Sequence, residues 1–516
     1  MTPGGNIRIP GITTGPTRHA TPSDEPDMTL NQVLLGPLNT ELANSPAEWM
    51  EWFDFSSLED QDTRISRHYF VRVCRINSCF DSEINFFRVE VANMMASCPL
   101  IYHCVLSMSA AHLTAVKEDM VATALDHRTK AISCLKSEIA HMEDNSVTKN
   151  PLEVLLGSVL LGMTDGWHNP AFLGTSHLHE ARILFPRWIF AAGKATPSTT
   201  YCSPRVRSFI CGAMAYWEAM SCFVMNQSLD SIAYLDVICQ NPDTPIHYPN
   251  PWTGVCTPLF VHLARTGTLA RLRSMLRQLA SITTSREVHK HMESNLLRSA
   301  RQTEAALLEY RVPGKDTIED TADPLTPVKH LQRLAQVYRL SAMIELYRNF
   351  PELLAEDCHG QPSSAPTGLT TTGKIVAMAT STLTLIAAIP ATSGVNCLLT
   401  MPLIIAGSTL QSTQKQQPRE LHGATAWDVI SAEIVSVSCQ ADVYSYWRDL
   451  VRGRLQAILQ YVGIPTISRA TEILEKVWTR SDVQAVGDFP GGGHVAPGFV
   501  QWIEVMTEEK LEAMYG

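Results

Sequence analysis

The sequence predicts an all-α fold, in which a large irregular helical domain follows a disordered N-terminal segment. Apolar residues recur at helical spacing, and no run of alternating apolar and polar residues marks a strand. Of the 516 residues, 45% are hydrophobic, which is enough to build a sizeable interior. Clusters of Gly, Pro, Asn and Asp separate the helical segments. We therefore divide the chain into a disordered segment, 1–46, and one helical domain, 47–516.

The N-terminal residues, MTPGGNIRIPGITTGPTRHATPSDEPDM, support the predicted disorder. They are rich in Pro, Gly, Thr and Ser and have few large apolar side chains. A segment of this composition buries too little apolar surface to offset the entropy lost on ordering. It also has no apolar core of the kind that a secretory signal needs, so we expect no signal peptide.

The first long helix is predicted over 97–113, SCPLIYHCVLSMSAAHL. Pro99 suits the first helical position, with Ser97 or Cys98 as the N-cap. Apolar residues occupy almost every face, which is typical of a helix surrounded by protein. His112 lies at the helix end, where an imidazolium gains about 0.3–1 kcal/mol from the helix dipole. We predict a structural role for His112, with ligand contact as the alternative.

Two further amphipathic helices are predicted at 330–351 and 466–480. In the first, Glu345 can pair with Arg348 one turn later, and Pro351 ends the helix. In the second, apolar residues again recur at helical spacing.

The longest segment of low charge, 375–407, could be mistaken for a membrane span. Two prolines and two glycines divide it into pieces shorter than the roughly 20 apolar residues that a span requires. It is predicted to form a pair of buried helices, and we expect no contact with a membrane.

Charge and cysteine spacing restrict the possible partners. The net charge is −10, whereas a compact reader of duplex DNA is usually basic. The thirteen cysteines form no C-x-x-C pair, and structural zinc sites need such close pairs. Their odd number and scatter through apolar segments indicate reduced, buried thiols in the cytoplasm or nucleus. We expect no metal and no cofactor.

One segment, 265–301, is basic although the chain as a whole is acidic. It holds eight Arg and Lys residues against Glu287 and Glu293. Such a stripe could dock on phosphate or on an acidic partner. It has no interleaved aromatic residues, so a solvated helix face is the preferred interpretation.

Three titratable residues are candidates for acid–base chemistry. Asp165 and His168 lie in TDGWHNP, a predicted loop bounded by Gly and Pro, where an acid beside a histidine could orient a base. Glu218 lies in AYWEAM among apolar residues, and if buried it would be protonated or paired. The alternative for Asp165 and His168 is that they are ordinary polar residues of a loop. The alternative for Glu218 is that it faces solvent. We prefer these structural interpretations for all three residues.

Three aromatic residues in the same two segments are candidate walls of a ligand-binding pocket. They are Trp167, Tyr216 and Trp217. Aromatic side chains with a few polar groups commonly line such pockets. The alternative for Trp167 is that it simply packs.

Several segments, in order, resemble the fungal-specific transcription factor domain, the regulatory region of fungal zinc-cluster activators. The segment 97–113 is similar to the family's opening segment, of the form SSPaLlhailAlSAaHL. The resemblance covers roughly 50–516 and implies an all-α fold and residence in the nucleus or cytoplasm. Further similar segments are HYFVRVCRINSCFDSEINFFR (68–88), GTSHLHEARILF (174–185), AQVYRLSAMIELYR (335–348), MPLIIAG (401–407), RATEILEKVWTR (469–480) and WIEVM (502–506).

The chain departs from the family in one respect that bears on function. Family activators usually carry an upstream zinc cluster, of the form C-x2-C-x6-C followed by a second such set, that reads DNA. No cysteine precedes Cys74 in this sequence. We therefore expect no zinc cluster and no direct specific binding to DNA.

These observations support a regulatory, transcription-factor-like protein that acts through protein partners or an apolar small-molecule effector, in fungal specialised metabolism. The sequence lacks G-x-G-x-x-G, G-x4-G-K-[ST], G-x-S-x-G and H-E-x-x-H, which mark familiar catalytic sites. The alternative is a cofactor-independent biosynthetic enzyme on the same scaffold, catalysing a cyclisation, a cycloaddition or an isomerisation. Such an enzyme needs mainly a shaped apolar cavity and a hydrogen-bond donor, so it would leave no motif.

Overall fold

A computed structural model describes residues 60–143, 151–194, 203–240, 246–280, 286–356, 370–411, 440–486 and 499–515. The predicted disordered segment 1–46 lies outside these residues. Over the described part of the chain every regular element is a helix, which confirms the predicted all-α class.

The helices are distributed along the whole of the described chain. In the first half they are α1 (Gln61–His68), α2 (Cys74–Ile76), α3 (Phe86–Met95), α4 (Pro99–Leu113), α5 (Met120–Glu143), α6 (Pro151–Met163), α7 (Asp165–His168), α8 (Thr175–Lys194), α9 (Pro204–Ser221) and α10 (Asp236–Cys239). In the second half they are α11 (Thr257–Ala280), α12 (Arg286–Glu309), α13 (Val328–Asn349), α14 (Glu352–Glu356), α15 (Thr371–Ala387), α16 (Thr400–Gly407), α17 (Gln440–Val462), α18 (Thr466–Val486) and α19 (Trp502–Glu508). A π-helix, Tyr69–Val73, joins α1 to α2, and 3₁₀ turns lie at Asp230–Leu235, Lys315–Thr317 and Gly394–Leu398.

Helix α4 forms the centre of the N-terminal half. Cys98 is its N-cap and Pro99 its first residue, as predicted. Its residues are buried from Cys104 to Leu113, and it packs against α5 and α6. A helix that is apolar on nearly every side can lie only where protein covers all of its faces.

The predicted helices of the C-terminal half are also found. Helix α13 ends at Asn349, two residues before Pro351, and α18 begins at Thr466. The low-charge segment 375–407 forms α15 and α16, separated by a turn around Pro390. Among the described residues, no helix is long and apolar enough to cross a membrane.

The described cysteines are free thiols, and several of them lie in the core. Burial raises the pKa of the Cys74 thiol to about 12 and also raises that of Cys79. These side chains are therefore protonated at neutral pH and pack as small apolar groups.

Helix α6 lies close to α9 and to the start of α8 because two glycines allow it. A Cβ added at Gly162 would lie 2.0 Å from Cζ2 of Trp217 on α9. Gly174, just before α8, has a φ of 62°, and a Cβ there would lie 1.9 Å from the carbonyl oxygen of Gly162. Neither position has room for a side chain.

The segment 499–515 is joined to the core through a buried carboxylate. Glu345 on α13 is fully buried, and its Oε2 accepts a hydrogen bond of 2.9 Å from Nε1 of Trp502. Its Oε1 accepts a bond of 3.0 Å from Asn349. The predicted partner, Arg348, lies 3.8 Å away, so the pair exists but inside the protein.

A second connection fixes the start of the same segment. The side-chain amide of Gln411 forms two hydrogen bonds with the backbone of Val500. Nε2 of Gln411 donates to the carbonyl oxygen of Val500 at 2.8 Å, and Oε1 accepts from the N–H of Val500 at 2.9 Å. The two connections hold α19 against the core from both sides of its N-terminus.

Gly162→Ala is expected to destabilise the protein by about 1–3 kcal/mol, because the added methyl group overlaps the indole of Trp217. The matched control is Gly453→Ala on α17, where a Cβ would meet nothing within 4 Å. That change should stabilise the protein by up to about 1 kcal/mol through helix propensity. Urea denaturation measures both, and equal effects of the two substitutions would contradict the packing described here.

Candidate functional site

A small buried cavity lies where elements from both halves of the described chain meet. Its volume is about 30 Å³. This is room for about one water molecule, whereas pockets for small organic ligands measure about 300–1,000 Å³. Of the described residues that line it, none carries a formal charge. They are Ile76, Asn77, Trp167, Tyr216, Trp252, Cys397, Leu398, Thr400, Val462, Ile464, Thr466, Ile467 and Tyr515.

The structure brings together two of the three aromatic residues predicted to bind a ligand. Trp167 lies on α7, a single helical turn formed by the segment that was expected to be a loop. The ring of Tyr216, on α9, packs between those of Trp252 and Phe260, at centroid distances of 5.7 and 5.6 Å. Its hydroxyl donates a hydrogen bond of 2.8 Å to the backbone carbonyl of Tyr515.

The third predicted aromatic residue, Trp217, lies apart from the cavity. Adjacent residues on a helix point about 100° apart, so Tyr216 and Trp217 cannot share one pocket wall. Trp217 is fully buried and packs against Gly162. Ligand binding by Trp167, Tyr216 and Trp217 stays a prediction.

Two polar groups in the cavity wall lack hydrogen-bond partners among the described residues. They are Nδ2 of Asn77 and the hydroxyl of Tyr515. Nε1 of Trp252 donates to the backbone oxygen of Asn77 at 2.9 Å and to its Oδ1 at 3.3 Å. Because an indole nitrogen can only donate, this contact fixes the orientation of the amide. The free group is therefore a donor.

Sequence analysis missed Asn77, Trp252 and Tyr515. They lie 175 or more positions apart along the chain and belong to no shared local pattern. The only local signal is the turn NPWTG, in which Asn250 accepts from the backbone N–H of Trp252 at 2.9 Å and fixes the indole.

The acid–base candidate Asp165 is engaged in an ion pair. Its Oδ1 accepts hydrogen bonds from Nε and Nη2 of Arg128, at 2.9 and 2.5 Å. The carboxylate is buried, and its partner is about one quarter exposed. This pair fastens α7 to α5 and does not line the cavity.

His168, the second candidate, is a neutral imidazole at physiological pH. Burial, with a contribution from the nearby Arg128, lowers its pKa to about 4. Nε2 lies 3.1 Å from the hydroxyl of Ser107 on α4. The ring therefore also joins α7 to the central helix, and it lies outside the cavity lining.

Glu218, the third candidate, is fully buried, which corrects the preferred expectation of a solvent-facing side chain. Arg182 on α8 binds it through two parallel hydrogen bonds, 2.6 Å to Oε1 and 2.7 Å to Oε2. Tyr234 donates a third bond of 2.7 Å to Oε1. The guanidinium of Arg182 therefore balances the charge of this carboxylate, which is needed because an unpaired buried charge is strongly unfavourable. Glu218 does not line the cavity.

His112 has a structural arrangement different from the one the sequence predicted. It is buried, and Nε2 lies 2.9 Å from the carbonyl oxygen of Val462, at the end of α17. Nδ1 lies 2.9 Å from Nε2 of His68. Because a carbonyl only accepts, Nε2 of His112 carries the proton and Nδ1 accepts from His68. Burial lowers the pKa of His112 to about 3, so it is neutral and gains nothing from the helix dipole.

The basic residues of 265–301 are divided between α11 and α12, and several are paired within the protein. Arg265 binds Asp236, and Arg277 binds Glu504 at 3.1 Å. Arg273 binds Glu293 and Glu352, at 2.8 and 2.7 Å. These ion pairs favour a role in packing.

The described residues contain no group of three or more His, Cys, Asp and Glu side chains placed to hold a metal ion.

Comparison with known protein families identifies a match over most of the chain. A family model described as the fungal specific transcription factor domain matches residues 64–515. No curated protein matches this chain, and no solved structure matches it either.

His112→Gln is expected to flatten the pH dependence of stability. The pKa of His112 is about 3 in the folded protein and 6.5 ordinarily. The neutral imidazole therefore makes its full contribution to the free energy of unfolding above pH 6.5. This contribution declines as the pH falls toward 3. Glutamine can keep the donor to Val462 but does not titrate. Between pH 6.5 and 5, the variant should lose about 2 kcal/mol less stability than the wild type, measured by urea denaturation. His291→Gln removes an exposed imidazole as the control, and identical slopes for wild type and His112→Gln would refute the neutral assignment.

Glu218→Gln is expected to cost about 3–5 kcal/mol of stability, because it leaves the guanidinium of Arg182 buried without its counter-charge. The control is Glu293→Gln, since the Glu293 side chain is 43% exposed and pairs at the surface. That change should cost less than about 1 kcal/mol. If chemical denaturation gives similar losses for both, Glu218 does not stabilise the fold in the way described.

Proposed function

The chain belongs to the fungal specific transcription factor domain family, and on that premise we propose that a neutral apolar effector, held in the cavity, controls its action on transcription. A regulatory, transcription-factor-like role follows from the family. The effector, the protein partners that carry the signal onward and a nuclear site of action are the parts that we propose. The family match over 64–515 is the observation that carries the proposal.

The chemistry of the cavity supports a neutral effector. Its described lining consists of aromatic, aliphatic, amide, hydroxyl and thiol groups, without a charged side chain. A carboxylate or phosphate ester moved into such a site would lose its hydration and meet no counter-charge, which is costly. Neutral, largely apolar compounds of this kind are common products of specialised metabolism, and regulation of that metabolism is the role we propose.

The position of the cavity supports a signalling role. Its lining draws on α2, α7, α9, α16, α17 and α18, so occupancy would act on contacts between both halves of the described chain. A ligand shifts an equilibrium between two arrangements only when it contacts them differently. A site shared by many elements satisfies this condition.

DNA contact is proposed to come from a partner. The net charge is −10, and several cations of the basic segment 265–301 are bound to carboxylates of the same chain. We therefore expect the protein to reach DNA through another protein that carries the reader.

The protein can be tested as a fusion to a heterologous DNA-binding domain. We expect this fusion to activate a reporter gene in response to a neutral compound extracted from the fungus that carries the gene. The response should require Trp167: Trp167→Phe should raise the half-maximal concentration at least about tenfold, by loss of contact area. Trp217→Phe removes the same atoms outside the cavity and should leave that concentration unchanged.

Three outcomes separate the proposal from its alternatives. A response that depends on Trp167, with the compound recovered unchanged by mass spectrometry, supports effector binding. Conversion of the compound into an isomer would instead support the enzymatic alternative. A reporter that ignores every neutral fraction, or that both tryptophan variants affect equally, would overturn the cavity as the effector site.

A further inference from the structure

One aromatic residue of the cavity wall, Tyr515, has a hydroxyl without a hydrogen-bond partner among the described residues. Tyr515 belongs to 509–515, which follows α19 without regular secondary structure and is called the closing segment below. We propose that the Tyr515 ring is displaceable, and that a neutral aromatic compound bearing a ketone or phenol oxygen takes its place. This inference rests on the proposed function and names the ligand class of that same site.

The size of the cavity requires such a displacement. About 30 Å³ admits a water molecule and no organic ligand. Interiors are packed too densely for a site of this size to expand without moving a side chain. An effector can therefore enter only if part of the wall leaves.

Tyr515 is the member of the wall best suited to leave. Its side chain is buried, and its hydroxyl has no partner among the described residues. A buried hydroxyl without a hydrogen bond is unfavourable, and outward movement would return it to water. Trp252, by contrast, donates from its ring nitrogen to Asn77.

The backbone of the closing segment has a hinge and few connections. Lys510 has a φ of 57°, a left-handed conformation that is unfavourable for a residue with a Cβ. Glu509, just before it, is fixed to α18 by Lys476 and Arg480, at 3.0 and 2.7 Å. Directly after Lys510, the N–H of Leu511 donates to the carbonyl of Met506 at 2.9 Å, a bond typical of a helix C-terminal cap. Further along, Arg469 donates to the carbonyl of Glu512 and Tyr216 to that of Tyr515. Rotation at Lys510, with loss of these three hydrogen bonds, would move Tyr515 and leave the body of α19 in place.

The groups exposed by this movement define the ligand. Nδ2 of Asn77 is a donor without a partner, and the hydroxyl of Tyr216 becomes a second donor once the Tyr515 carbonyl departs. Two donors require acceptor oxygens, such as those of ketones, quinones and phenols. The space left by a phenol ring between aromatic walls suits a flat ring. No charged side chain among the described lining residues would bind an ionised group.

The test uses the full chain with 1-naphthol, a neutral two-ring phenol, and 1-naphthalenesulfonate, an anion of the same ring system. Isothermal titration calorimetry measures the affinity of wild type, Tyr515→Ala and Tyr515→Phe. Alanine removes the competing ring and should strengthen 1-naphthol binding about tenfold or more. Phenylalanine keeps the ring but removes the unpaired hydroxyl, which stabilises the closed form, so binding should weaken several-fold. The sulfonate should bind none of the three.

A second measurement needs no substitution. On addition of 1-naphthol to the wild type, hydrogen exchange of the amides of 511–515 should accelerate, because the segment leaves its seat. Amides of α13 serve as the internal control and should not change. Unchanged or slower exchange in 511–515, or equal affinities of the alanine and phenylalanine variants, would overturn the displacement of Tyr515.

Failure of this inference is distinguishable from failure of the proposed function. If an extracted neutral compound still acts through Trp167 while exchange in 511–515 is unaffected, the effector site stands and Tyr515 does not close it. If 1-naphthol binds neither the wild type nor a folded Tyr515→Ala variant, the proposed ligand class is wrong. Tight binding of the sulfonate would also overturn the requirement for a neutral ligand.

Discussion

The buried carboxylate of Glu345 determines where the last described helix must lie. A carboxylate in the interior requires hydrogen-bond donors, since an unpaired buried charge costs several kcal/mol. Asn349 supplies one donor from the same helix, and Trp502 supplies the other from α19. The helix can therefore dock only where the indole nitrogen reaches α13. The position of α19 in turn places the closing segment, and with it Tyr515, over the cavity.

Elsewhere in the interior, buried polar groups mostly have partners and serve the packing of helices. Glu218 binds Arg182, Asp165 binds Arg128, and His112 joins α4 to the end of α17. Each of these groups joins one helix to another. They resemble catalytic groups in composition, but their hydrogen-bonding capacity is already used. The amide of Asn77 in the cavity wall differs, because its N–H₂ group has no partner among the described residues and remains available to a ligand.

This contrast explains how a regulatory domain can lack any recognisable motif. Recognition of a neutral effector needs shape, apolar surface and one or two donors, and these can come from any part of a helical scaffold. Transmission of the signal needs an element with two arrangements whose energies are close. An unsatisfied buried hydroxyl raises the energy of the closed arrangement, which brings it nearer to an open one.

The sequence by itself determined the local structure. Helical spacing of apolar residues predicted α4, α13 and α18, Pro99 marked a helix start, and the prolines and glycines of 375–407 predicted two helices where one span was conceivable. The ordered family segments predicted the all-α class and the regulatory family. Two of the cavity residues, Trp167 and Tyr216, were also among the predicted candidates.

Only the tertiary structure decided what the polar side chains do. Periodicity could not show that Glu218 is buried, since an acidic residue on an amphipathic helix usually faces solvent and its partner, Arg182, lies 36 residues away. It could not show that His112 is neutral, because the carbonyl that binds it is 350 positions along the chain. The cavity depends on Asn77, Trp252 and Tyr515, which only folding brings together. Sequence patterns record the environment of one element, whereas burial, pKa and binding depend on groups contributed by distant elements.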